Sequence, residues 1–274
     1  MKVVGISLGG SILSTEDGFN TDFAAKFADL LRKREESFIV CVGGGRLARR
    51  EIEGIGFHQE KNPNGIKNKF TLHEIGTECT RVNALQLKSL LQERLSGGEL
   101  HEICPVVPRT LDEFKQVAGR YRITICGGFF EYVTTDSDVA LACAVVNGKL
   151  VINISNESWV HDKDPKKGGK KLPSPMSHST LKDVMVQSDS RDPGANVLFD
   201  SFACSVVKGQ QMKVAFVSKV LAKPDGRKYL LIDETLEQLE RVIDGKEHDG
   251  TLVVPDEELL SLSRSEEGIG LISK

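Results

Sequence analysis

Three short apolar runs in this chain each stop at glycine. Val3 to Leu8 runs into Gly9-Gly10-Ser11, Ile39 to Val42 into Gly43-Gly44-Gly45, and Ile123 to Cys126 into Gly127-Gly128. Lacking a Cβ, glycine lets the backbone approach a ligand closely and adopt turns closed to other residues. An open parallel sheet binds ligands beyond the carboxyl ends of its strands. Three glycine turns at one edge would therefore offer a row of amide donors to an anion, above all to a run of phosphates. One such pair alone reads as a tight turn; three together read as a cleft. Arg46, Arg49 and Arg50 around the second turn supply cations suited to an anionic ligand.

Two other phosphate-binding patterns fit poorly. No G-x-x-x-x-G-K-S/T occurs, which argues against a P-loop. Gly43-x-Gly45-x-x-Ala48 matches a loose dinucleotide fingerprint, but the polar stretch Phe57 to Phe70 supplies no following strand to carry the acidic residue that fingerprint needs.

The elements that must position these turns alternate along the chain. Val3 to Leu8 reads as a strand and Thr21 to Arg34 as a helix, with Phe23, Phe27, Leu30 and Leu31 at helical spacing. Ser37 to Val42 is a strand, Arg46 to Ile55 a helix, and Glu74 to Leu91 a longer helix with Ile75, Cys79, Val82 and Leu85 down one side. A strand around Cys104 to Val107, a helix Leu111 to Val117 and a strand Arg122 to Cys126 follow. Thr135 reads as the N-cap of a helix with Asp138 in its first turn. Lys149 to Ile154 is a strand, Val197 to Val207 a helix and Lys213 to Val217 a strand. This order predicts an α/β fold, a three-layer αβα sandwich around a mostly parallel central sheet. The polar stretches Lys61 to Lys69 and Asp162 to Asp192 read as loops, and Pro255 to Lys274, acidic then Ser-rich, as a loosely packed tail behind a domain spanning 1–254.

Composition excludes several classes. The 274 residues carry 36 basic and 39 acidic side chains, a net charge of -3, which argues against a protein built to coat nucleic acid. The longest apolar run, Val139 to Val146, has eight residues, against the roughly 20 that span a bilayer. The start lacks the apolar core of a secretory leader. Six cysteines without a C-x-x-C pair read as small buried hydrophobes in a reducing cytoplasm.

Taken in order, the motifs resemble the amino acid kinase superfamily, and within it the UMP kinases of archaeal type, over residues 1 to 254. The resemblance rests on Ser-Leu-Gly-Gly-Ser at 7–11, Gly-Gly-Gly-Arg-Leu-Ala-Arg at 43–49, and Ile-Gly-Thr-Glu-Cys-Thr-Arg-Val-Asn-Ala at 75–84. Gly-Gly at 127–128, Thr-Thr-Asp at 134–136, Asp-Pro-Lys-Lys at 164–167 and Phe-Asp-Ser-Phe-Ala at 199–203 continue it, and His248 to Thr251 is similar to the closing strand of the family. The resemblance implies transfer of the ATP γ-phosphoryl group to UMP with Mg²⁺, by a homo-oligomer (a hexamer or dimer) in which helix 74–91 is a candidate contact. It places Gly9, Gly10, Ser11, Gly45 and Arg49 at the ATP phosphates, and Ser155, His161 and Asp164 near the ATP base and ribose. It places Gly44, His73, Phe129, Phe130, Thr134 and Thr135 at UMP. Asp200, with Arg49 and Ser11, would serve the transferring phosphoryl group. The metal-holding residues stay open. So do two alternatives: another small acid or phosphate as acceptor, or a non-catalytic member that binds a nucleotide or oxyanion.

Three positions depart from the resembling pattern. Ser7 stands where many relatives have lysine, His73 where relatives grip the ribose with aspartate, and Ser158-Trp159 where relatives have aspartate and glycine. Trp159, the only tryptophan, reads either as a core cap or as a base-stacking residue.

Overall fold

The computed structural model of the chain describes residues 1–15, 18–61, 69–95, 102–164, 167–188, 198–222 and 228–270. In chain order the elements are β1 (Val3–Leu8), α1 (Gly10–Leu13), β2 (Ser14–Thr15), β3 (Gly18–Phe19), α2 (Thr21–Arg32), β4 (Ser37–Val42), α3 (Gly45–Lys61) and α4 (Lys69–Arg94). Then come α5 (Leu111–Val117), β5 (Ile123–Cys126), α6 (Thr135–Val145), β6 (Leu150–Ile154), β7 (Met176–Ser177), α7 (His178–Ser188), α8 (Ser201–Gly209) and β8 (Lys213–Val217). β9 (Val220–Ala222), β10 (Lys228–Leu230), α9 (Ile232–Ile243), β11 (Leu252–Val254) and α10 (Asp256–Gly270) complete the described chain.

The central sheet runs β5-β4-β1-β6-β8-β11-β7. Its first five strands are parallel, β11 is antiparallel to β8, and β7 lies parallel to β11. Strand side chains alternate between two cores because successive residues point to opposite faces. Val4, Ile6, Phe38, Val40, Ile123, Ile125 and Ile152 pack with Phe23, Phe27 and Leu31 of α2, Leu87 and Leu91 of α4 and Leu239 of α9. Ile39, Cys41, Cys126, Val151 and Phe216 pack on the other face with Val139 and Cys143 of α6, Leu181 of α7 and Ala203 of α8. Both faces of β1 and β4 are thus buried, which is why those strands read as unbroken apolar runs. Each fully buried Phe or Leu contributes about 2 kcal/mol of burial free energy.

Helix starts are set by side-chain caps. Asn20 accepts from the Phe23 N–H at 3.1 Å, Thr110 from Glu113 N–H at 3.1 Å and Asp200 from Ala203 N–H at 2.7 Å. At α6 the cap is Thr134, whose hydroxyl accepts from Asp136 N–H, so Thr135 is the first helical residue rather than the cap.

Other expectations shift. Cys104 meets Ile123 O through its N–H at 2.8 Å beside a single bridge at Ile103, so no strand forms over 104–107; the chain there turns away before a second pairing is made. The stretch 162–192 contains β7 and α7, because Met176 pairs beside Val253 and Leu181 and Met185 bury an apolar face. Asp200 caps α8, which moves that helix start to Ser201; Val197 itself lies outside the described residues, as do 62–68. Residues 248–251 form the bend before β11 rather than the closing strand, since Gly250 N–H and Thr251 N–H bond to His248 O and Ser158 O instead of to a neighbouring strand. The tail is tied at its start. Ser179 donates to both oxygens of Asp256, Lys208 pairs with Asp256, and Lys213 pairs with Glu258, so α10 is anchored where a loose segment was expected.

Candidate active site

The ends of β4 and β1 meet in direct backbone contact. Gly9 N–H donates to Ile154 O at 2.7 Å and Gly43 N–H to Leu8 O at 2.8 Å. A Cβ on Gly10 would stand 2.1 Å from Gly45 N and 2.4 Å from Gly43 O, so only glycine permits this approach. Gly45 itself has φ +56°, a left-handed conformation costly for other residues. Asn83 of α4 fixes the second turn by donating its amide to Gly43 O at 2.8 Å and Gly44 O at 3.1 Å. The result is two glycine turns in direct backbone contact at the carboxyl ends of β1 and β4. Ser11 is half-buried in α1, Ser155 lies against Gly9, and Arg49 stands exposed two helical positions past the Arg46-Leu47 pair of α3.

The third glycine turn is held by α4. Gly128 N–H donates to Thr80 Oγ1 at 2.6 Å, and Thr80 donates in turn to Thr77 O at 2.6 Å. Arg81, 9% exposed, reaches Gly128 O at 3.1 Å, Arg109 O at 2.7 Å and Glu78 at 2.5 Å. Two turns before Thr80 on α4, the His73 ring lies 4.0 Å from that of Tyr132, which carries φ +63° and also meets Phe70 at 5.9 Å. His73, Gly44 and the 127–135 segment are therefore gathered around the same end of α4. Phe129 and Phe130 divide: Phe130 is exposed, while the Phe129 ring is buried against Phe114 at 6.0 Å and only its backbone N–H faces inward, to Asp138.

Between this segment and β6 lies a buried acidic network. Asp200 accepts from Thr134 Oγ1 at 2.6 Å, Thr134 N–H at 3.1 Å, and Ser137 Oγ at 2.7 Å. Asp136 receives Asn153 Nδ2 at 2.7 Å, contacts Thr134 Oγ1 at 3.0 Å and is bonded by Ser7. Burial, reinforced by the Asp200 charge, pushes Asp136 up to about 7, with the bonds from Ser7, Asn153 and Thr134 pulling the other way. Burial also holds Asp138 well above the ordinary carboxylate range, and its Oδ1 has no hydrogen-bond partner among the described residues. No cation stands within hydrogen-bond distance of Asp200 among the described residues; its donors are two hydroxyls and two backbone amides. Ser137 and Asn153 have no place in the sequence reading of the site, and Asp136 and Arg81 enter it only as members of the 134–136 and 75–84 motifs, without a role of their own. Ser7 and Asn153 carried a signal: each is a polar residue inside an otherwise apolar strand, and they are register partners.

The turn after β6 is built around Trp159. Ser155 Oγ donates to Glu157 O at 3.1 Å, His161 Nδ1 lies 3.0 Å from Trp159 O, and Lys171 sits 4.4 Å from the Trp159 ring centroid. Thr251 clamps the turn, its N–H to Ser158 O at 2.8 Å and its Oγ1 accepting from Val160 N–H at 2.9 Å. Trp159 is thus half-buried under a lysine, neither a core cap nor a bare stacking face. Asp164 is exposed, and its carbonyl accepts from Lys167 and Gly169 N–H. Of the residues expected near an ATP base, Ser155 is brought to the glycine turns, while His161 and Asp164 contact the Trp159 turn and its hairpin instead.

Comparison with known proteins gives a consistent match. The profile described as Amino acid kinase family covers residues 2–218. A uridylate kinase of Thermoplasma volcanium is 33% identical over 221 residues, 79% of this chain and 88% of that protein. One from Thermococcus kodakarensis is 30% identical over 264 residues, 93% of this chain and 100% of that protein. The crystal structure of uridylate kinase from Archaeoglobus fulgidus superposes with a TM-score of 0.69 at 25% identity, covering 93% of this chain and 100% of that one. An aspartate kinase structure from Synechocystis shares the fold, with a TM-score of 0.59 at 12% identity over 92% of this chain and 40% of that one.

Proposed function

This chain belongs to the amino acid kinase family and is a phosphotransferase, and we propose that it transfers the γ-phosphoryl group of ATP to UMP, giving ADP and UDP. The observation that carries this reading is the close approach of Gly10 to Gly43 and Gly45, where a Cβ would meet backbone at 2.1–2.6 Å, because it sets two glycine turns side by side at the carboxyl ends of β1 and β4, where parallel sheets bind ligands. Phosphoryl transfer needs two anionic nucleotides held in line and neutralised rather than a covalent intermediate. Gly9, Gly10, Ser11 and Gly45 would line the donor phosphates, with Arg49 as an exposed cation beside them and Ser155 at their flank. His161 and Asp164 would reach the donor only from the Trp159 turn. Gly44, His73, Phe130, Thr134, Thr135 and the Phe129 backbone would frame the acceptor.

Asp200 acts in this reading as the brace that fixes Thr134 and the start of α6 against α8. Among the described residues no group of three or more acidic, His or Cys side chains is placed to hold a metal. Mg²⁺ would therefore enter on the nucleotide phosphates, neutralising them, in keeping with its preference for phosphate oxygens and water. No helix among the described residues is long and apolar enough to cross a membrane. A cytoplasmic homo-oligomer, hexameric or dimeric, with a kinase domain to residue 254 is the organisation that accompanies this proposal.

The test is ADP release from ATP and Mg²⁺ against UMP, CMP, dUMP, AMP, carbamate, N-acetylglutamate and isopentenyl phosphate. UMP-dependent turnover supports the proposal. Turnover only with another acceptor replaces the substrate, and silence with nucleotide binding retained replaces catalysis by binding.

A further inference from the structure

Arg46 and Arg50, two of the cations that flank the second glycine turn in sequence, take no part in the nucleotide contacts proposed above. They lie four residues apart on α3 and so share one helical face. Both line a cavity of about 280 Å³ between the β2–β3 hairpin, α3 and α4. Ser14, Phe19, Asn83 and Gln86 line it with the two arginines. None of Gly9, Gly10, Gly43, Gly44 or Arg49 does. Its volume is close to the roughly 300 Å³ at which small-molecule sites begin.

We infer that this cavity is a second binding site, for a phosphate-bearing small molecule, linked to the nucleotide turn through Asn83. Two guanidinium groups one turn apart suit the several oxygens of a phosphate or diphosphate. The Ser14 hydroxyl and the Gln86 amide add neutral hydrogen-bonding groups, and Phe19 supplies an apolar wall. Glu51 holds Arg50 at 2.8 Å, but both side chains are largely exposed, and such a pair is weak enough for a bound dianion to displace. The link is geometric. Asn83 forms part of the cavity wall, and its amide is the donor that fixes Gly43 O and Gly44 O. An occupant that moves Asn83 therefore moves that turn.

The test is calorimetric titration of inorganic pyrophosphate, and in parallel of ADP, into the wild type, Arg46→Gln/Arg50→Gln and Arg49→Ala. It reads binding and needs no turnover, so its outcome is separate from that of the kinase assay. Two pyrophosphate sites are expected in the wild type, one of them at the glycine turns; the double variant should bind at the second at least tenfold more weakly, while Arg49→Ala keeps that second site saturable. Because both arginines are exposed, melting temperature and sedimentation should match the wild type. ADP binding tighter than pyrophosphate, with the increment lost in Phe19→Ala, would identify a nucleotide as the source rather than free phosphate. The inference is overturned if the double variant keeps the wild-type number of sites at unchanged affinity, if Arg49→Ala removes all saturable binding, or if the wild type shows none. A changed sedimentation coefficient in the double variant would overturn it too, by showing a second copy of the chain seated on this face.

Discussion

Thr134 and Asp200 meet at 2.6 Å, the hydroxyl of one donating to the carboxylate of the other, although 66 residues separate them. Thr134 caps α6 and Asp200 caps α8, so this single contact locks the starts of two helices together beside the 127–135 segment. An Asn at 200 would turn an amide donor toward hydroxyl and N–H donors. Asp200→Asn is expected to cost about 2–4 kcal/mol of stability and to lower kcat more than it raises KM. Denaturant unfolding and steady-state kinetics check both, and a variant altered only in KM would assign Asp200 to ground-state recognition.

Asp136 gives a pH dependence with a definite sign. Its carboxyl sits at about 7 in the folded chain against 3.8 ordinarily, so the native state binds a proton more tightly than the unfolded one. Stability contributed by this group therefore falls as pH rises from about 4 to about 7. Asp136→Asn should raise the melting temperature relative to wild type more at pH 8 than at pH 4.5. Asp138 shifts in the same direction and is raised in part by the Asp136 charge, so the variant relieves some of that shift as well and the two effects add with the same sign. An equal offset at both pH values would show that Asp136 keeps its charge throughout.

Two glycine substitutions should act in opposite directions. A Cβ at Gly10 has backbone atoms 2.1–2.6 Å away, and Gly10→Ala is expected to cost about 3 kcal/mol by overpacking. Gly54 lies exposed inside α3 with nothing within 4 Å of an added Cβ. Gly54→Ala should stabilise by about 0.5–1 kcal/mol. Urea denaturation of the pair would show whether the contact, rather than glycine content, governs the cost.

Arg49 tests the phosphate reading. It is exposed and contributes nothing to either core, so Arg49→Ala should leave the melting temperature within a degree or two. Loss of a charge-assisted phosphate contact should lower kcat/KM about 100-fold. Unchanged kinetics would remove Arg49 from the site.

Trp159 offers an intrinsic reporter, since the chain has one tryptophan. Its ring lies under Lys171, and the turn it sits in follows Ser155, which touches Gly9. Binding of ATP should therefore change tryptophan fluorescence, and UMP alone should leave it unchanged. The reverse pattern would place the donor on the α4 side of the cleft.

Much of this molecule is decided by local pattern. Apolar runs ending at glycine locate β1, β4 and β5 because strands buried on both faces must be apolar throughout, and because only glycine fits where their ends meet. The helical spacing of Phe23, Phe27 and Leu31 places α2, and the alternation of strands with helices requires a parallel sheet covered on both sides. Tertiary structure decided the rest. Asp136, Asn153 and Ser7 come together only when β1 and β6 pair in register, and no spacing along the chain encodes that. Thr134, not Thr135, caps α6 because Asp200 of a distant helix holds it. The Phe129 ring is buried because it packs against Phe114 of α5, while Phe130 beside it stays exposed. Short pieces such as β7, β11 and the anchored start of α10 are stable only against their neighbours, since two or three residues cannot hold a strand by propensity. A residue's type is local, but its partners and its burial belong to the folded chain, and those fix its charge and its role.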